Sequence, residues 1–194
     1  LAPMTQAPGR RERKKQATRE ALSAAALRLA LQQGVQNVRV EDIADAAGVA
    51  PRTYNNYFAS REQAIVAAIA AERALRVGAA LRARPDEEPL ADAVVTAVVE
   101  QYTDGPDPST LALLTGNPRV RAEYLDAVAD LEHPLASAIA DRTDLDEDTA
   151  TVLAAMVSAA TRVAVGRWLA TAATTDGLVV VGPEPLDRFL RDAL

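Results

Sequence analysis

The chain has 194 residues, 49% hydrophobic and only 4% aromatic, with no cysteine and a single histidine, His133. That composition excludes disulfides, thiolate metal sites and a cysteine nucleophile, and one imidazole leaves little for metal or acid–base chemistry. The net charge of −6 hides an asymmetry: residues 1–61 carry ten Arg/Lys against five Asp/Glu, whereas residues 62–194 carry eleven against twenty-two.

A small basic front on an acidic body is the electrostatic footprint of a module for a polyanion. The run "GRRERKK" alone reads equally well as a solvated tail, and only the helices C-terminal to it separate the two meanings. The alanine- and leucine-rich composition is that of a helical protein. No apolar run approaches the length of about 20 residues needed to cross a bilayer, and the basic start does not lead into an apolar signal core. A cytoplasmic protein with no membrane partner and no cofactor is therefore expected.

In chain order, the Pro/Gly-punctuated residues 1–9 read as a disordered lead. Apolar positions at Ala21, Leu22, Ala25 and Leu29 predict a first helix from Arg11 to Gln33, stopped by Gly34. "VQNVRV" is a short connection. A second helix over Val40–Ala47 carries Glu41 and Asp42 in its first turn, where the helix dipole favours acid. Gly48 ends it. Pro51 opens a third short helix, "PRTYNNYFAS", at a position where a missing N–H costs nothing. Ser60 caps a longer helix that runs to about Arg84.

Helices are then expected over Leu90–Tyr102, Ser109–Leu114, Pro118–Arg142 with a kink near Pro134, and Asp146–Ala173. "TTDGLVVVGPEP" reads as a loop, since "LVVV" has no evident pairing partner. A short amphipathic helix closes the chain over Leu186–Leu194.

Two short helices joined across "AAGVA" form a helix-turn-helix, whose second helix enters the major groove of DNA. Successive residues about 100° apart put Arg52, Asn55 and Asn56 on one face of the third helix and Tyr54 and Phe58 on the other. The aromatic face closes a core with Leu22, Ala25, Leu29 and Ile43. The polar face has the chemistry of base reading: arginine donates in pairs to guanine, and asparagine offers the donor and acceptor that match adenine. Arg39, Thr53, Tyr57 and Arg61, with the N–H groups opening the second helix, are placed to hold phosphates.

The run "RKKQATREALSAAALRLALQQGVQNVRVEDIADAAGVAPRTYNNYFASREQAIVAAI" resembles the N-terminal domain of the TetR family of bacterial transcriptional regulators. Ala25, Gly34, "VEDIADAAGV" and "TYNNYFASRE" carry the resemblance. Leu31 stands where many members have Phe, and Arg61 replaces the usual lysine. The resemblance implies an all-α protein with a helix-turn-helix DNA-binding domain over residues 10–60 and a helical ligand-binding and dimerisation domain over 61–194. It places DNA-contact roles on Thr18, on Arg39 and Val40, on Pro51, Arg52, Thr53, Asn55, Asn56 and Tyr57, and on Arg61.

In the acidic body, the small-residue segment "AAMVSAATRVAVGRWLATAA" and the closing helix would resemble the family's dimer-forming bundle. Val152, Met156 and Val163 offer one apolar face and Leu186, Phe189 and Leu190 a second. Ligand sites in helical bundles lie between helices and are mostly apolar. The candidates are Tyr102, Leu113, Tyr124, Val128, Leu131, His133, Met156 and Trp168, with Arg121 and Arg119 as partners for an anionic head. The run from Asn117 to Ala170 is similar to the C-terminal domain of mycofactocin-associated regulators, some of which sense acyl-coenzyme A esters.

The expected protein is a homodimeric repressor of a palindromic DNA operator, released by a small, largely apolar, acyl-type effector. A rival is an architectural or protein-partnered DNA-binding factor with no small-molecule effector. An enzyme is disfavoured by the missing cysteine, the single histidine and the absence of a Gly-rich phosphate loop.

Overall fold

The computed structural model describes residues 9–104, 108–171, 173–175, 178–180 and 183–194. The expected disordered lead therefore lies outside the described residues, apart from Gly9. The fold is all-α, with ten α-helices among the described residues. The chain divides into two compact units, residues 1–68 and 69–194.

In the first unit, α1 (Arg10–Gln33) ends where Gly34 adopts φ +80° and its N–H bonds the Ala30 carbonyl at 2.9 Å. A 3-10 turn over Val35–Asn37 leads to α2 (Val40–Ala46). Gly48, at φ +69°, makes the turn into α3 (Pro51–Tyr54), in a conformation that a Cβ would strain. The helical spacing of Leu22, Ala25, Ala26 and Ala30 buries one stripe of α1 with Ile43, Ala44, Tyr54 and Phe58. Each large side chain buried there contributes about 1.5–3 kcal/mol. Leu29 is only half-buried and Ala21 is exposed, so the stripe sits about one residue away from the expected register.

Helix α4 (Arg61–Ala83) begins with a reciprocal cap. The Gln63 N–H donates to Ser60 Oγ at 3.0 Å, and Gln63 Oε1 accepts from the Ala59 N–H at 2.8 Å.

The second unit contains the remainder of α4, α5 (Leu90–Thr103), α6 (Pro108–Gly116), α7 (Pro118–Ala127), α8 (Glu132–Arg142), α9 (Glu147–Thr171) and α10 (Pro183–Arg191). Helix α9 packs on α7, α8 and α10, and α10 also packs on α5. Asn117 caps α7, its side-chain oxygen accepting from the N–H groups of Arg119 and Val120. Asp146 opens α9 in the same way, and the Thr149 N–H and hydroxyl hold its carboxyl below the usual range.

Four expectations need correction. The single kinked helix over Pro118–Arg142 is two helices separated by a 3-10 turn, Val128–Leu131. Pro134 is the third residue of α8, where no intrahelical partner awaits its missing N–H, so it starts a helix rather than bending one. The "LVVV" segment is not a loop: β2 (Leu178–Val180) pairs antiparallel with β1 (Ala173–Thr175), Thr174 opposite Val179. Leu186 and Leu190 are buried within the unit, packing having claimed the second proposed dimer face. Finally, α9 over Glu147–Ala170 is by length and composition apolar enough to cross a membrane, at mean hydropathy 1.4. Exposed Arg162 and Arg167 interrupt its apolar run, which is why a count of consecutive residues passed over it.

Candidate functional site

Helix α3 is anchored by its aromatic side. The Tyr54 and Phe58 rings lie 5.8 Å apart at 45°, both buried, and the Tyr54 hydroxyl donates to the Ser60 carbonyl at 2.7 Å. The Arg19 guanidinium sits 5.3 Å above Phe58. After Tyr54 the backbone tightens, with the Asn56 N–H on Thr53 O and the Tyr57 N–H on Tyr54 O. Arg52, Asn55 and Asn56 are all exposed, as is Pro51, while Thr53 and Tyr57 are half-buried on the flanks.

An open hollow of about 780 Å³ joins this face to the start of α1. Arg11, Lys14, Lys15 and Thr18 line one wall, and Ala50, Thr53, Asn56 and Tyr57 the other. Thr18 donates its hydroxyl to the Lys14 carbonyl at 2.9 Å, which leaves lone pairs but no proton for an outside partner. Three cations, three hydroxyls and the Asn56 amide thus face a groove with a single acid, Glu12, which lies 3.9 Å from Lys15.

Arg61 is placed differently from the other cations. Its guanidinium donates to the carbonyls of Val38 at 2.9 Å and Gln36 at 3.3 Å, and its Nε to Glu62 at 3.1 Å. These bonds tie the start of α4 to the strand-like entry into α2, where Arg39 is exposed and Val40 half-buried.

In the second unit, Tyr102, Tyr124, Val128 and Leu131 meet around a narrow gap with Ala70 and Ala74 of α4. Trp168 is buried in α9, and Leu113 and Arg121 are half-buried in α6 and α7. His133 and Arg119 are exposed, and Met156 is 63% exposed, so none of these three lies in the gap. A separate hollow of about 200 Å³ is lined by Leu90, Val94, Ile139, Leu153, Val157 and Leu194. Among the described residues, no group of three or more His, Cys, Asp or Glu could hold a metal.

Residues 22–69 match the family described as bacterial regulatory proteins, tetR family. Over 94% of the chain and 87% of the relative, the sequence is 36% identical to the HTH-type transcriptional regulator TcmR of Streptomyces glaucescens. The protein belongs to the TetR family. It is a DNA-binding transcriptional regulator.

Residues 88–182 of this TetR-family regulator match the MftR C-terminal domain, the subgroup that the C-terminal half resembles. Solved structures are more distant. FadR of Thermus thermophilus, crystallised with lauroyl-CoA, is 21% identical, covering 90% of this chain and 92% of that one at a TM-score of 0.48. The multidrug binding protein EbrR, complexed with ethidium, is 16% identical over 91% and 98% at 0.45.

Burial, and secondarily the charge of Glu62, pushes the Tyr54 phenol of the TetR-type domain up to about 12. The unfolded chain releases this proton near pH 10, whereas the folded unit holds it to about pH 12. The contribution is complete below pH 10 and is lost as pH rises through that window, by about 3 kcal/mol in all. Alkaline unfolding titrations of wild type and Tyr54→Phe check this. The variant loses one hydrogen bond at neutral pH but should show the shallower decline above pH 10.

The residue that sequence reasoning missed is Arg73, buried on α4 beside the tyrosines. The signal was present: in "AIVAAIAAERALRVGAAL" it falls on the stripe of Ala70, Val77 and Leu81, where a solvated charge has no place.

Proposed function

We propose that this regulator binds operator DNA as a homodimer, with Arg52, Asn55 and Asn56 reading bases in the major groove. Thr18, Arg39, Val40, Pro51, Thr53 and Tyr57 position it on the backbone, and Arg61 acts by fixing the entry to α2. In this reading residues 10–60 are the DNA-binding domain, and residues 61–194 bind the effector and dimerise. The observation that carries it is the hollow in which the basic start of α1 faces Thr53, Asn56 and Tyr57, cations, hydroxyls and one amide lining one groove.

A single helix-turn-helix reads one half-site, so a two-fold partner is required for strong binding. Val152, Met156 and Val163 support this, standing 59%, 63% and 45% exposed on one side of α9. The match to the MftR C-terminal domain and the apolar linings in the second unit support a small, largely apolar effector of acyl type. Its binding would shift the population toward a spacing of the two α3 helices that no longer suits successive major grooves, releasing a repressor.

Arg52→Ala or Asn55→Ala is expected to weaken operator binding by about 1–3 kcal/mol and to relax preference at particular base pairs. Neutralising Arg11, Arg13, Lys14 and Lys15 together should weaken binding to every sequence and flatten its salt dependence. Quantitative binding to an operator and its point variants at several salt concentrations separates the two effects. Unchanged affinity and preference in both single variants would refute the recognition face.

A further inference from the structure

Arg73 is 4% exposed, and its guanidinium lies 4.6 Å from the centre of the Tyr102 ring. Its Nε donates to nothing, and among the described residues no carboxylate or carbonyl is hydrogen-bonded to the group. Three neighbouring arginines, Arg82, Arg84 and Arg142, are treated otherwise. Arg82 pairs with Asp141 at 2.7 Å and with Ser137, Arg84 with Glu88 at 2.7 Å, and Arg142 with three backbone carbonyls. An arginine cannot escape burial by losing its proton, so Arg73 carries a desolvated positive charge whose one short contact is an aromatic face.

We infer that the second unit recognises an effector with an acidic group, for which Arg73 is the counter-ion and the Tyr102 and Tyr124 hydroxyls are flanking donors. The inference rests on the proposed effector-binding role of residues 61–194 and specifies the chemistry of the ligand. Tyr102, on whose ring Arg73 sits, lines a gap with small residues on α4, at Ala70 and Ala74, and apolar ones opposite, at Val128 and Leu131. An acid head paired with Arg73 past the edge of Tyr102 would leave its apolar body to those walls.

Burial pushes both phenols upward, so both remain protonated at neutral pH and can donate to an anion. A second buried polar atom without a hydrogen-bond partner is Thr161 Oγ1 on α9. It lies one turn from Ser158, which donates to the Val128 carbonyl at 3.2 Å on the wall of the same gap. The gap is closed to a water-sized sphere as it stands, so an occupant must part α4 from α7 and the 3-10 turn.

The test is thermal unfolding of the full-length wild type, Arg73→Met and Arg73→Lys, each alone and with dodecanoate or the uncharged dodecanol below their micelle concentrations. Dodecanoate should raise the wild-type midpoint by several degrees and clearly more than dodecanol. Arg73→Met should lose that preference, Arg73→Lys should keep part of it, and ligand-free Arg73→Met should melt at or above wild type, since it removes a buried charge without a partner.

Equal stabilisation by acid and alcohol, or a preference that survives in Arg73→Met, would overturn the acidic group while leaving an effector site in place. A ligand-free Arg73→Met that melts well below wild type would make Arg73 a structural residue and also overturn it. No response to either amphiphile in any protein would overturn both the acidic group and the acyl-type effector.

Discussion

Arg142→Ala should lower the stability of the second unit by about 2 kcal/mol. The side chain is 7% exposed and reaches from the end of α8 to the end of α4. It donates to the carbonyls of Arg84 at 2.6 Å, Pro85 at 2.7 Å and Leu81 at 3.3 Å. The Leu81 and Pro85 carbonyls also accept from the N–H groups of Arg84 and Glu88, at 3.2 Å each, so the loss falls mainly on the Arg84 carbonyl. A buried acceptor stripped of its donor costs about 1–3 kcal/mol. Asp86 lies 3.9 Å away but is 98% exposed, so the ion pair contributes little and the carbonyl bonds dominate. Denaturant unfolding followed by the fluorescence of Trp168, the single tryptophan, reads this unit directly. The midpoint should fall with an unchanged slope. An unmoved midpoint would mean that water satisfies those carbonyls in the variant.

Gly78→Val should be of similar size and act on the same seam. A Cβ at Gly78 would stand 3.0 Å from the Pro134 backbone oxygen and 3.3 Å from the Pro134 Cβ. A backbone atom there cannot swing aside as a flexible side chain would, so α4 and α8 must separate or Pro134 must shift. Overpacking of this kind costs about 1–3 kcal/mol, and the two further methyls of valine put it at the upper end. Gly78→Ala is the informative control. It gains about 1 kcal/mol of helix propensity against a smaller clash, so its net effect should be less than half that of valine. If both variants proved more stable than wild type, the close approach of α4 to α8 would be wrong.

Much of the first unit could be read locally. Gly34, Gly48, Pro51 and Ser60 are signals at fixed offsets, and each lies within two residues of the terminus it marks. The polar side of α3 could be read because so short a helix must choose which residues it buries. Arg61 could not be read in this way, because its carbonyl partners lie 23 and 25 residues away along the chain.

In the second unit the alanine-rich helices set a period but few partners. The amphipathic pattern of α10 says that Leu186 and Leu190 face something apolar. It does not say whether that surface belongs to the same chain. The β-hairpin was missed because Ala173–Thr175 lacks an apolar alternation, although Asp176-Gly177, the pair between the strands in sequence, is a strong hairpin signal. Arg73 was missed because burial of a charge is a tertiary fact, visible in the sequence only as an interruption of a stripe.

The 3-10 turn at Val128–Leu131 gives the second unit an uneven rigidity. Where α4 meets α8, a close backbone approach, a buried guanidinium and the Arg82–Asp141 pair hold the two helices together. Beside Tyr124, by contrast, the backbone is held by the poorer geometry of i→i+3 bonds, backed by one hydroxyl from α9 and by the burial of Val128 and Leu131. Local opening takes the path of the weaker backbone bonds, so hydrogen exchange is expected to be faster at Val128–Leu131 than at the ends of α4 and α8. The fault in the helix is thus a built-in compliance, set next to the one buried charge among the described residues that its own fold leaves unanswered.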